Sequence, residues 1–168
     1  MKRLILLIVI VATTILSSCE GPQGPAGTTI ESEVFELRNV NFAYNPIDGF
    51  NIYRTLTPNI YDSDVILIYR LTDLIDPATP VWKLVPNAVY APLGEVNYDF
   101  DFSKEDYKIY VSATYDLNTS PAYLDNQTFR IVVIPGYFSG KKAQVDKSDY
   151  NAVMKYYYIN ESNIKVLK

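Results

Sequence analysis

From about Glu33 onward, apolar side chains recur at every second position, not at every third or fourth. A strand sends successive side chains to opposite faces, so this period favours half-buried strands over helices. Val96, Tyr98, Phe100 and Phe102 alternate with Asn97, Asp99 and Asp101. Ile109, Val111, Ala113 and Tyr115 alternate with Lys108, Tyr110, Ser112 and Thr114. Phe35 and Leu37 show the same period, as do Phe50, Ile52 and Leu56 around Arg54. Val65 to Leu71 is apolar on both faces, the mark of a central strand covered on two sides. Phe129 to Ile134 is a further run, and Trp82 to Val85 and Ala88 to Ala91 are shorter ones. Turn formers separate them: Asn45-Pro46 with Asp48-Gly49, Thr57-Pro58-Asn59, Asp76-Pro77, Leu93-Gly94 and Asn118 to Pro121. The spacing predicts an all-β fold, an antiparallel sandwich or small barrel of Ig-like or Greek-key type, with about eight strands.

One helix is expected near the C-terminus. Ser148 is placed to cap it, and Asp149 then sits at the positive end of the helix dipole. Tyr150, Val153, Met154, Tyr157 and Tyr158 follow the spacing of one apolar helix face. That stripe should pack on a sheet or close one end of the barrel. Ile164 to Leu167 reads as a last edge strand, with lysines discouraging further pairing.

The N-terminus is organised differently. Lys2 and Arg3 precede a charge-free run of 13 residues, Leu4 to Leu16. A bilayer span needs about 20 residues, so the run fits the core of a secretory signal better. Leu16-Ser17-Ser18-Cys19 follows, and it resembles a lipobox, where lipoprotein signal peptidase cuts before a lipidated cysteine. Residues 1–18 are therefore expected to be a lipoprotein signal peptide, with Cys19 the acylated first residue of the mature chain. Gly21, Gly24 and Gly27 then recur every third residue with Pro22 and Pro25 between them. This resembles a collagen repeat, but it is far too short for a triple helix on its own, so residues 19–32 read as a lipidated spacer. Extended as polyproline II, the stretch from Gly21 to Thr29 would reach roughly 28 Å. Residues 33–168 are expected to form a single β-sandwich domain.

Composition removes several function classes. Loss of Lys2 and Arg3 with the signal takes the formal charge from −4 to −6. That balance argues against nucleic acid and against holding anionic lipid by charge alone. The chain has no histidine, so no Ser-His-Asp or Cys-His site and no histidine-bound zinc can be built. Cys19 is the only cysteine, so the domain must stand without an internal disulfide.

Carboxylates and aromatic rings remain as candidates. Asp99 and Asp101 share one face of a predicted strand. Such a pair could serve glycoside hydrolysis or supply oxygens to Ca²⁺, or simply keep an outer face soluble. Tyrosine is abundant, with 15 in the chain. Tyr53 and Tyr110 fall on strand faces opposite the main apolar sets, so they are the candidate ligand platform for a sugar or peptide. Trp82, Tyr90, Tyr123, Tyr137 and Phe138 fall in or beside loops, and Trp82 is expected to plug an end of the sandwich core.

The whole layout resembles collagen-like lipoproteins of the Bacteroidota type, a group with no assigned activity. The resemblance implies a cell-envelope protein anchored by lipid in the outer membrane. Surface export in that group often accompanies acidic residues soon after the cysteine, and here only Glu20 is acidic before Glu31. Surface and periplasmic orientations both stay open. The function expected is non-enzymatic: a monomer that binds an envelope protein or glycan, or serves as a structural part of an assembly. A carbohydrate-binding module with aromatic platforms and calcium is the alternative, and a carboxylate-based hydrolase the third. No cofactor beyond the covalent lipid is expected.

Overall fold

The structure, a computed structural model, describes residues 32–136 and 145–167. The signal segment, Cys19, the Gly-Pro spacer, Tyr137 and Phe138 lie outside the described residues. Ten strands are formed among them: β1 (Glu33–Val40), β2 (Ala43–Asn45), β3 (Gly49–Thr55), β4 (Val65–Asp76), β5 (Thr79–Val85), β6 (Asn87–Ala91), β7 (Gly94–Phe102), β8 (Asp106–Ala113), β9 (Gln127–Ile134) and β10 (Lys165–Leu167). They make two five-stranded sheets, β10-β1-β9-β4-β5 and β2-β3-β8-β7-β6. Every neighbouring pair is antiparallel except β1 with β10. The two sheets face each other as an open sandwich and do not close into a barrel.

The period-two residues meet between the sheets. Leu37, Ile66, Ile68, Phe129 and Ile131 from the first sheet pack against Ile52, Val96, Tyr98, Ile109 and Val111 from the second. Each large apolar side chain buried there contributes about 1.5–3 kcal/mol relative to exposure. Phe42 bridges the layers, with its ring centroid 6.0 Å from both Tyr98 and Phe129.

A helix, α1 (Tyr150–Tyr156), lies on the outer face of the first sheet. Its Tyr150, Val153 and Met154 bury against Val34, Leu67, Tyr69, Val132 and Ile134. This cover is why β4 and β9 are apolar on both faces. The cap differs from expectation: the Asp149 side chain accepts from the Ala152 N–H, while the Ser148 hydroxyl donates to Asp146. Both residue types make good caps, and the carboxylate is the one within reach of the first turn. The apolar stripe is also shorter than expected. The helix stops at Tyr156, Tyr157 is its C-cap, and Tyr158 turns out to solvent at a φ of 56°.

Trp82 does not plug an end of the sandwich. Val85 points inward on β5, so Trp82 and Leu84 fall outward beneath α1. The Trp82 ring lies 5.6 Å from Tyr150, and the Arg130 guanidinium 4.3 Å from Trp82. The alternation was legible, but the helix that turned its outer face into a second core was not. β2 is the strand absent from the sequence expectation, and β4 runs on to Asp76 through Thr72-Asp73-Leu74-Ile75-Asp76, which carries no period-two signal.

Strand directions give the sandwich two distinct poles. The chain enters β1 at Glu33 beside Val133, near the end of β9. The segment 56–64, the β7–β8 turn and Gly136 gather at this entry pole. They are tied by Leu56 N–H to Glu105 O at 2.7 Å, Ile60 N–H to Lys104 O at 3.0 Å, and Gly136 N–H to Asp64 Oδ1 at 3.0 Å. The opposite pole carries the β2–β3, β4–β5 and β6–β7 hairpins and the segment 114–126. Phe42 N–H to Leu124 O and the Tyr98 hydroxyl to Tyr123 O, both 2.9 Å, join the layers there.

Candidate functional site

Among the described residues no helix lies over the outer face of the second sheet, and all four surface candidates lie on it. Tyr53, Lys108 and Asp101 form one cross-strand row, and Asn51, Tyr110 and Asp99 form the next. Tyr53 is 49% exposed, and its hydroxyl donates to Asp106 Oδ2 at 3.0 Å. That bond to a carboxylate raises the Tyr53 pKa. Asp106 also accepts from Ser103, and these bonds hold its carboxyl below the usual carboxylate range. Tyr110 is half-buried and donates to Asp101 Oδ2 at 2.5 Å. Burial and this bond push its pKa up as well. The Lys108 ammonium sits 5.7 Å from the Tyr110 ring and 2.7 Å from Asp48 Oδ2.

This face offers two pinned rings flanked by carboxylates. Lys108 lies over the Tyr110 ring, and both tyrosine protons are already donated. Asp99 accepts from the Phe100 N–H at 2.8 Å and Asp101 from Tyr110, so each oxygen pair has a local partner. Among the described residues no group of three His, Cys, Asp or Glu side chains converges on a metal position.

The hairpin pole is the stronger site. Six large apolar side chains stand in solvent on its three hairpins: Tyr44 and Ile47, Leu74 and Ile75, Tyr90 and Leu93. Ile47 is 90% exposed, Tyr90 85% and Ile75 74%. Hairpin turns ordinarily carry small polar residues, so apolar tips on three turns at one pole make it a candidate contact surface. The turns are also held in shape. Asn45 Oδ1 accepts from Ile47 N–H at 2.8 Å, and Asp73 Oδ1 from Leu74 N–H at 2.8 Å. Asp76 accepts from Ala78 N–H and the Thr79 hydroxyl, both at 2.8 Å, and these bonds lower its pKa. On the third hairpin, Gly94 (φ 148°) passes so close to Thr114 that a Cβ would run into the Thr114 hydroxyl.

Sequence reasoning missed this cluster. The signal was present as Pro46-Ile47-Asp48-Gly49 and Pro92-Leu93-Gly94, each an apolar residue inside a turn motif. Only the fold shows that the three hairpins share a pole. Comparison with protein-family models, curated proteins and solved structures finds no match to the chain.

Proposed function

We propose that this chain is a lipid-anchored cell-envelope lipoprotein, without catalytic function, whose sandwich binds a protein partner at the hairpin pole. The observation that carries the reading is the set of exposed apolar tips on three turns, two held by their own hydrogen bonds and the third packed against Thr114. Pre-set loops lose little freedom on binding, which favours association. The lipobox supports anchoring through Cys19, and the described chain enters at the opposite pole. A spacer from Cys19 would then leave the apolar tips facing away from the membrane. The mature charge of −6 and the acidic turns suit a partner with basic residues around its apolar contacts.

A glycan reading is favoured by one observation, the uncovered face that holds Tyr53 and Tyr110 together. One experiment separates the two. The lipidated full chain is used for pull-down from its own envelope and on a glycan array. Ile47→Asp, Ile75→Asp and Tyr90→Ala are compared with Tyr53→Ala and Tyr110→Ala, with thermal melts alongside. Loss of a central anchor costs more than about 1 kcal/mol of binding, roughly a fivefold or greater loss of affinity. Tip variants should lose the protein partner at unchanged melting temperature. Retained capture by all three overturns the reading, and array binding lost only in the tyrosine variants puts the glycan reading first.

A further inference from the structure

Two arginines are buried in this sandwich, and their surroundings differ. Arg130, on the outer face of β9, has Glu36 at 3.1 Å and Glu161 at 2.6 Å. Arg70, on the inner face of β4 and only 9% exposed, has no carboxylate in ion-pair range among the described residues. A desolvated cation without an acid is costly, so its retention asks for a reason.

Its geometry is defined on one side and open on the other. Nε donates to Gln127 Oε1 at 2.9 Å, and the guanidinium carbon lies 4.1 Å from the Tyr98 ring centre. Gln127 is itself oriented, because its Nε2 donates to the carbonyls of Ala122 at 2.9 Å and Asp125 at 2.7 Å. Stacking and the Gln127 bond fix the plane of the fork. Neither Nη1 nor Nη2 has a hydrogen-bond partner among the described residues, and neither is sealed from solvent. Lys83 stands opposite Arg70 on β5, where it is exposed to solvent. Two more groups near Tyr98 are buried without partners: the Tyr115 hydroxyl and the side-chain oxygen of Asn87, which faces Tyr98 across the β6–β7 pair.

A purely structural role, tying β4 to the segment 122–125, uses only the Nε side of Arg70. The outer edge is surplus to that role. Two parallel N–H groups in one plane match a carboxylate, which accepts both at once. We propose that the Nη1–Nη2 edge of Arg70 receives a carboxylate, from a side chain or chain terminus, of the protein partner that docks at the hairpin pole. This rests on the protein-binding reading above. The guanidinium stays charged at neutral pH, although burial lowers its pKa against the smaller opposing effect of Tyr98 and Tyr123.

The test uses the full chain in detergent and the arginine Nε–Hε signals in NMR. Acetate is titrated against chloride at constant ionic strength. A short apolar peptide with a free C-terminal carboxylate is compared with its C-terminal amide, and glucuronate is run in parallel. Acetate and the peptide acid should shift the Arg70 signal saturably, and the amide should not. Arg70→Met and Arg70→Lys lack that signal, so their acetate affinity is read from the side-chain amide of Gln127, which borders the site in the wild type. Arg70→Met should weaken acetate binding about tenfold or more, the loss of one charge-assisted pair. Arg70→Lys keeps the charge without the fork and should fall between; it serves if the Met variant does not fold. No saturable shift in the wild type, or an equal response to peptide acid and amide, overturns the receptor. Response to glucuronate but not to peptide acid overturns the protein source of the carboxylate. Acetate binding that survives while the tip variants leave partner capture unchanged keeps the receptor and removes the docking pole, so the two readings fail separately.

Discussion

Tyrosine has two different roles in this chain, set by where its hydroxyl ends. Tyr98 and Tyr107 are buried between the sheets, and burial lifts the pKa of each from 10.0 to about 12. Tyr69 lies under α1, donates to Lys147 O at 2.7 Å and is raised further still, again chiefly by burial. Between pH 10.0 and about 12 the unfolded chain has therefore lost these protons while the folded chain retains them. Linkage then favours unfolding, so stability is fully present below pH 10.0 and declines as pH rises toward about 12. An ultraviolet titration should show the buried tyrosines ionising late, in one cooperative step, together with loss of the β circular dichroism signal. Smooth ionisation of all tyrosines near the ordinary value, with the fold intact, would contradict the burial described here. The exposed tyrosines contribute little to folding, and Tyr44, Tyr53 and Tyr90 are among those left for contact with other molecules.

At the scale of elements, the contact between α1 and the first sheet is secured by charge as well as by apolar packing. Arg130 on β9 meets Glu36 on β1, Glu161 beyond the helix, and the Tyr150 hydroxyl on α1. Burial pulls its pKa down, but Tyr150 and the bonds to the carboxylates outweigh that, and the net shift is upward. The Glu36 side chain is 6% exposed and that of Arg130 13%, so solvent screens their pair weakly. Glu36→Ala should cost about 3 kcal/mol, because it removes one partner of a buried pair, with Glu161 keeping the loss at the low end. Asp149→Ala removes only a helix cap and should cost about 1 kcal/mol. Urea melts of the two variants check the order, and equal destabilisation would mean the clasp is no stronger than the cap. Arg38 also bonds Glu36 at 2.5 Å but is largely exposed, so Arg38→Ala is expected to matter least.

At the scale of the whole molecule, the sandwich has a direction. Glu33 enters at one pole and the apolar hairpin tips stand at the other, so a tether at the N-terminus would present the tips outward. In the proposed function, anchoring depends on Cys19. Two or three acyl chains at about 0.8 kcal/mol per buried CH₂ hold a protein on a membrane far more firmly than one. Cys19→Ala should abolish metabolic palmitate labelling and leave the chain unprocessed or shed from the membrane fraction. Unchanged labelling and retention would sink the lipoprotein reading, while the tip and Arg70 experiments would still stand.

Period-two alternation was enough to predict an all-β sandwich, because a strand's face assignment is a local property of the chain. It put Tyr53, Tyr110, Asp99 and Asp101 on outward faces and identified Val65 to Leu71 as covered on both sides. It did not reveal what covered them. The destination of Trp82 depended on a helix more than 60 positions away in the chain, and no local pattern encodes that meeting. The hairpin pole and the unpaired edge of Arg70 were hidden for the same reason. An apolar residue in a turn, or an arginine in an apolar run, looks incidental until long-range pairing decides its neighbours. Which side chains form strands was written in their spacing, and which of them are left without a partner was decided only when the two sheets closed on each other.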